Sequence, residues 1–158
     1  MILPPVVYYL KPGFLYVSRD PVKVLTVLGS CVGVFLYDAR LHYGGANHVI
    51  YPRSRVPQER STKYADVAVE VLVRFFLDWG SHNGDLLARL VGGASQVDSN
   101  ASDEGARLNV VVVEEELQRR GVRVAERILG GHVGRKVIFD TGTGKLDCTI
   151  LGKGKGSD

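Results

Sequence analysis

The chain has 158 residues, 45% hydrophobic and 23% charged, which is enough for one domain to bury a core without disulfide or metal support. A net charge of +3 comes from 20 Lys and Arg residues spread along the chain, with a pI near 8.9, so neither a nucleic-acid partner nor membrane insertion is expected. Two distant cysteines without a CxxC pair, an N-terminus with no basic leader, and no apolar run of ~18 residues predict a cytoplasmic protein with free thiols.

Residues 6–10 (VVYYL) and 14–18 (FLYVS) are predicted as short strands around the turn Lys11-Pro12-Gly13. Residues 22–37 are β-branched and continuous, one strand or two, broken at Gly29-Ser30. A turn at Asp38-Ala39-Arg40 leads to a strand over 41–51, weakened by Gly44-Gly45. Residues 52–62, with two prolines and three arginines, read as a loop. The spacing of Tyr64, Val67, Val71, Leu72, Phe75 and Trp79 predicts an amphipathic helix, N-capped by Ser61 or Thr62 and stopped by Gly80.

A strand over 86–91 then runs into Gly92-Gly93-Ala94-Ser95, followed by a polar loop and a second helix over about 106–120. A strand over 122–128, a turn over 129–134, a hairpin of 135–140 with 146–151, and a flexible tail from 153 to 158 complete the chain. Short joints between most strands favour antiparallel or mixed sheets. Two long helices cover one sheet face, and a second sheet is the natural cover for the other.

The stretch VLTVLGSCVGV (24–34) carries the most chemistry. A core strand is interrupted by Gly29-Ser30-Cys31, and a second glycine-broken strand carries His48. A tight hairpin turning near 38–41 brings position 31 opposite position 48. An imidazole there can take the thiol proton, giving a thiolate–imidazolium pair that attacks a carbonyl carbon. Backbone N–H groups around Gly29, Ser30 and Cys31 can hold a developing oxyanion. Against this stands the ordinary role of a free cysteine as a compact core residue. Weaker candidates are a zinc site of Cys31, His42 and His48, and Cys148, which reads as core or edge filler. The glycine turns 92–93 and 130–134, the latter carrying His132, lack the context of a phosphate-binding loop.

LGSCVGVFLYD followed by GGANHVIYP resembles the signature of the CheD family, the chemoreceptor glutamine deamidases of bacterial and archaeal chemotaxis. KYADVAVEVL, VGGAS, ARLNV and GGHVGRKVIFDTGTGKL follow in the family's order, so the resemblance spans about residues 10–152. It implies an α+β fold, a three-layer α/β/β sandwich of mixed, mostly antiparallel sheets with both helices on one face, forming a single deamidase domain over 1–152. It implies hydrolysis of glutamine side-chain amides on methyl-accepting chemotaxis receptors by Cys31 as nucleophile, His48 as base and Thr26 as the residue orienting it, without metal or cofactor. Gly29, Ser30 and Asn47 are expected to hold substrate or the oxyanion. A CheC-type phosphatase is an implied second partner. The chain departs from the family at Ala46, Ser95-Gln96 and His132, which bears on substrate choice or partner contact and leaves the three expected catalytic residues intact. The alternatives are a non-catalytic adaptor binding receptors or the phosphatase, and a cysteine hydrolase with another amide or ester substrate.

Overall fold

The computed structural model describes residues 6–95 and 100–152. In chain order these form β1 (Val7–Tyr9), β2 (Leu15–Ser18), β3 (Lys23–Leu28), β4 (Val32–Asp38), β5 (Tyr43–Val49), α1 (Ala65–Asp78), β6 (Leu86–Gly92), α2 (Asn100–Arg119), β7 (Arg123–Leu129), β8 (Arg135–Asp140) and β9 (Leu146–Ile150). A 3-10 turn at Asn83–Asp85 precedes β6. One sheet has the order β1-β3-β8-β9 and the other β2-β5-β4-β6-β7. Neighbours are antiparallel except the β1–β3 and β6–β7 pairs. The helices cover one face of the five-stranded sheet and the four-stranded sheet covers the other, which is the expected sandwich.

The long apolar run 22–37 is explained by β4, whose two faces are both buried. Its even-numbered residues Val34 and Leu36 pack with Leu72 and Phe76 of α1, Leu90 of β6 and Val113 of α2. Its odd-numbered Phe35 packs between the sheets with Leu28 of β3 and Phe139 of β8. Alternation of side chains along a strand feeds the two cores from one element. The break at Gly29-Ser30 is the point where the chain leaves one sheet for the other. At Gly44 the sheets approach so closely that a Cβ would overlap the backbone of Thr141.

Several boundaries differ from the sequence expectation. β1 and β2 flank the predicted turn but pair in different sheets. The N-cap of α1 is Tyr64, without a side-chain cap bond. Ser61 sits one turn earlier, where its carbonyl accepts the Tyr64 N–H. α2 begins at Asn100, before the expected 106, because Gly105 and a polar first half hide the helical period. Residues 96–99 of the predicted loop and the expected tail at 153–158 lie outside the described residues.

The β4–β5 hairpin carries the difference that bears most on function. Its register pairs Gly33 with His48 and Val32 with Val49, two residues from the expected opposition of 31 and 48. The turn is longer than predicted. The Asp38 carboxylate accepts the N–H groups of Arg40 (2.8 Å) and Leu41 (3.1 Å), and His42 takes a left-handed φ of 60°. Leu41 and His42 therefore belong to the turn, and β5 starts at Tyr43.

Candidate active site

A shift of two residues preserves side-chain parity. Cys31, just before β4, stays on the same face as Gly33, and Gly33 faces His48 directly. The thiol is thus a diagonal neighbour of the imidazole, a spacing that longer side chains still bridge. Nothing protrudes between them, because Gly33 has no side chain. Its place is also closed to one, since a Cβ there would lie 2.8 Å from the Phe35 ring and 3.0 Å from Leu28.

His48 is 2% exposed and lies between the two sheets. Thr26 reaches it from the opposite sheet, with Oγ1 2.8 Å from His48 Nδ1. The single hydroxyl proton of Thr26 is donated to the Leu10 carbonyl at 2.8 Å. Its oxygen can then only accept, so Nδ1 carries the proton and Nε2 keeps a free lone pair. The expected trio Thr26, Cys31 and His48 is therefore brought to one inter-sheet layer by three segments: β3, the β3–β4 link and β5.

Burial pushes the Cys31 thiol up from 9.0 and pulls His48 down from 6.5 to about 4. Both shifts favour the uncharged forms, a thiol beside a neutral imidazole. Withdrawal from water disfavours each charged form.

The backbone around the thiol is held from β6. The Gly93 N–H donates to the Cys31 carbonyl and the Ala94 N–H to the Gly29 carbonyl, each at 2.9 Å. Gly92 makes this approach possible, since its φ of 119° is left-handed and a Cβ would overlap the Cys31 carbonyl oxygen. Among the described residues, the N–H groups of Ser30 and Cys31 donate to no backbone carbonyl. Beside them opens a cleft of about 190 Å³ lined by Gly29, Ser30, Ala94, Ser95, His132 and the Val133-Gly134 turn. A Cβ added at Gly29 would meet no atom within 4 Å. The 130–134 turn and the two residues that follow Gly92-Gly93 therefore frame this cleft.

Asn47 is not part of the constellation. It faces the helices, opposite to His48 on β5, is fully buried, and its Oδ1 accepts the Val34 N–H at 3.1 Å. His42 sits at the far end of the β4–β5 hairpin from Cys31, bonded to the Tyr37 hydroxyl, so it cannot join Cys31 in a zinc site. Cys148 lies on β9 opposite Val137, packed at the edge of the inter-sheet core.

Asn109 of α2 was missed. Its Nδ2 donates to the Ile50 carbonyl at 3.0 Å and reaches the Ser30 carbonyl at 3.5 Å. A buried asparagine among Ala106, Val112 and Val113 on the apolar stripe of the helix was the available signal.

A family model described as CheD chemotactic sensory transduction matches residues 51–149. The chain belongs to the CheD family. Among relatives named "Probable chemoreceptor glutamine deamidase CheD", one from Methanococcus maripaludis strain C6 is 36% identical, covering 86% of this chain and 90% of its own. One from Trichlorobacter lovleyi is 36% identical over 94% of this chain and 91% of its own. A third, from Clostridium botulinum strain Hall, is 36% identical over 89% and 90%. The family model begins after His48, whereas a match over 94% of the chain is too long to leave out the segment 26–48. The Bacillus licheniformis hypothetical protein YfiH shares the fold at a TM-score of 0.51 and 13% identity, covering 73% of this CheD-family chain and 51% of that protein.

Proposed function

We propose that this CheD-family chain is a chemoreceptor glutamine deamidase, a cysteine amidohydrolase that converts selected receptor glutamines to glutamate and ammonia. The observation that carries the proposal is the His48 ring, held by Thr26 with its Nε2 lone pair free, on the same inter-sheet face as the Cys31 thiol.

In this reading His48 Nε2 takes the Cys31 proton as Sγ attacks the carboxamide carbon and the Sγ–C bond forms. The N–H groups of Ser30 and Cys31 hold the oxyanion. Protonated His48 gives its proton to the amide nitrogen, the C–N bond breaks, and ammonia leaves. Water then enters the cleft and loses a proton to His48 as it attacks the thioester. The C–S bond breaks, the proton returns to the thiol, and a glutamate side chain is released.

A protein substrate is supported by an apolar groove of about 440 Å³ continuing from the cleft past Ser95, between Val110 and Val111 of α2 and Leu129 of β7. We assign the cytoplasmic helices of methyl-accepting chemotaxis receptors as substrate, a CheC-type phosphatase as second partner, the cytoplasm as location, and residues 1–152 as one deamidase domain. Among the described residues no helix is long and apolar enough to cross a membrane.

The test is ammonia release, with the amide-to-acid mass change, on a recombinant receptor cytoplasmic fragment. Wild-type protein releases ammonia and Cys31→Ala does not. Equal rates from the two overturn the reading. A non-catalytic adaptor has one observation in its favour, the packing of Cys31 against the inter-sheet core. It predicts that His48→Gln leaves the alkylation rate of Cys31 unchanged, whereas catalysis requires that rate to fall.

A further inference from the structure

The cleft lined by Gly29 and Ser30, the two residues that precede Cys31, holds one titratable side chain that the reaction above does not use. His132, in the β7–β8 turn, lines it together with Gly29 and Ser30. Its Nδ1 lies 2.9 Å from the Ser95 carbonyl, and the Ser95 N–H donates to the Gly131 carbonyl at 2.9 Å. This reciprocal pair ties the turn to the strand end leaving β6, so the ring is placed by two backbone contacts of its own wall. A carbonyl oxygen only accepts, so Nδ1 must carry the proton and the neutral ring presents Nε2 as a bare acceptor.

An acceptor in that position distinguishes the two ends of the proposed reaction. A glutamine carboxamide offers two N–H donors, whereas the glutamate product offers only carboxylate oxygens, which repel a lone pair. We propose that His132 is a specificity-determining residue of this cleft, whose Nε2 accepts a hydrogen bond from the carboxamide NH2 of a substrate glutamine and so selects amide over acid. The assignment rests on the deamidase reading of the Cys31 site. It gives that site a means of admitting substrate and expelling product that Cys31, His48 and Thr26 do not supply.

Two thiol reagents of nearly equal size read this selection directly. Iodoacetamide carries the carboxamide and iodoacetate the carboxylate. In a Cys148→Ser background and mildly alkaline buffer, the Cys31 alkylation rates of wild type, His132→Ala and His132→Gln are compared. Loss of one neutral hydrogen bond predicts that His132→Ala lowers the iodoacetamide rate about three- to tenfold. The iodoacetate rate stays within twofold or rises. His132→Gln, which retains an acceptor oxygen, recovers part of the ratio.

With receptor fragment as substrate, KM rises in His132→Ala more than kcat falls, and inhibition by the deamidated fragment strengthens. His132 is exposed, so its replacement costs no more than the one bond to Ser95, and the variant stays folded. An unchanged amide-to-acid ratio in His132→Ala, with Cys31 as reactive as in wild type, overturns the role of His132 and leaves the deamidase reading standing. Ammonia release that is the same with and without Cys31 overturns both.

Discussion

Thr26 Oγ1 and His48 Nδ1 meet at 2.8 Å across the gap between two sheets, so the orientation of the candidate base depends on how the sheets stack. The Leu10 carbonyl completes the chain of bonds by taking the threonine proton. Three backbone segments distant in sequence thereby set one tautomer. Thr26→Val keeps the shape and removes the acceptor, leaving a buried Nδ1–H unpaired at a cost of about 1–3 kcal/mol. The ring is then free to tautomerise or turn. A fall in kcat of about 10- to 100-fold is expected, with partial recovery in Thr26→Ser. Imidazole nitrogen chemical shifts report the tautomer directly. An Nδ1–H tautomer that persists unchanged in Thr26→Val would falsify the coupling.

Burial of His48 has a signed consequence for pH. Its value falls from 6.5 in the unfolded chain to about 4 in the folded one, so between those values the unfolded state binds the extra proton. Stability from this group is complete above pH 6.5 and is lost as pH drops toward 4. The acid limb of kcat/KM falls near pH 4, because the base must be neutral in the free enzyme. Urea titrations at stepped pH are expected to show a shallower acid loss in His48→Gln than in wild type. Parallel slopes for the two proteins would remove His48 as the titrating group.

The layered architecture was legible because its signals are local. Two amphipathic helices, strands on short joints, and glycines at turns each follow from neighbouring residues. Cys31 and His48 were legible as partners from hairpin symmetry, and parity kept them on one face even though Leu41 and His42 joined the turn and moved the register by two. Asn47 illustrates the limit. It adjoins His48 in sequence, and strand alternation alone sends it to the other core. The role of Thr26 depends on β3 and β5 belonging to different sheets, and the frame of the cleft depends on 92–95 meeting 129–134. Both are long-range contacts with no periodicity to betray them. The burial of Cys31 and His48 was hidden for the same reason, since it comes from both sheets at once.

Gly92 offers a test of how the nucleophile's backbone is held. Its left-handed φ of 119° and the close Cys31 carbonyl leave no space for a Cβ. Its own carbonyl accepts the Gly130 N–H at 2.9 Å and an Arg135 N–H at 3.1 Å. Gly92→Ala adds backbone strain and a steric overlap, for an expected loss of about 2–4 kcal/mol. The strand must retreat from Cys31, so deamidation should fall further than the folded fraction does. Gly121→Ala serves as the control, since it is also left-handed at φ 70° but has no atom near its Cβ. It should destabilise without changing the specific activity of the folded protein. Equal loss of specific activity in both variants would show that strain alone, rather than displacement of Cys31, is responsible.

Asn109 separates positioning from stability in another way. Its Nδ2 bridges the Ser30 and Ile50 carbonyls, tying the segment before β4 to the chain just after β5. These segments deliver the thiol and the imidazole, so the amide sets their separation from outside the reaction. Its Oδ1 is buried without a partner among the described residues, an unfavourable state that an apolar side chain of similar size removes. Asn109→Leu thus loses the bridge and sheds the orphaned oxygen, and the net change in stability should stay within about 1 kcal/mol. Catalysis has no such compensation. A displacement of the thiol by a fraction of an ångström predicts a fall in kcat of about 10- to 100-fold with KM little changed. Cys31 alkylation should lose its dependence on His48, so that Asn109→Leu and the double variant with His48→Gln react alike. Wild-type kcat in Asn109→Leu would reduce Asn109 to a packing residue.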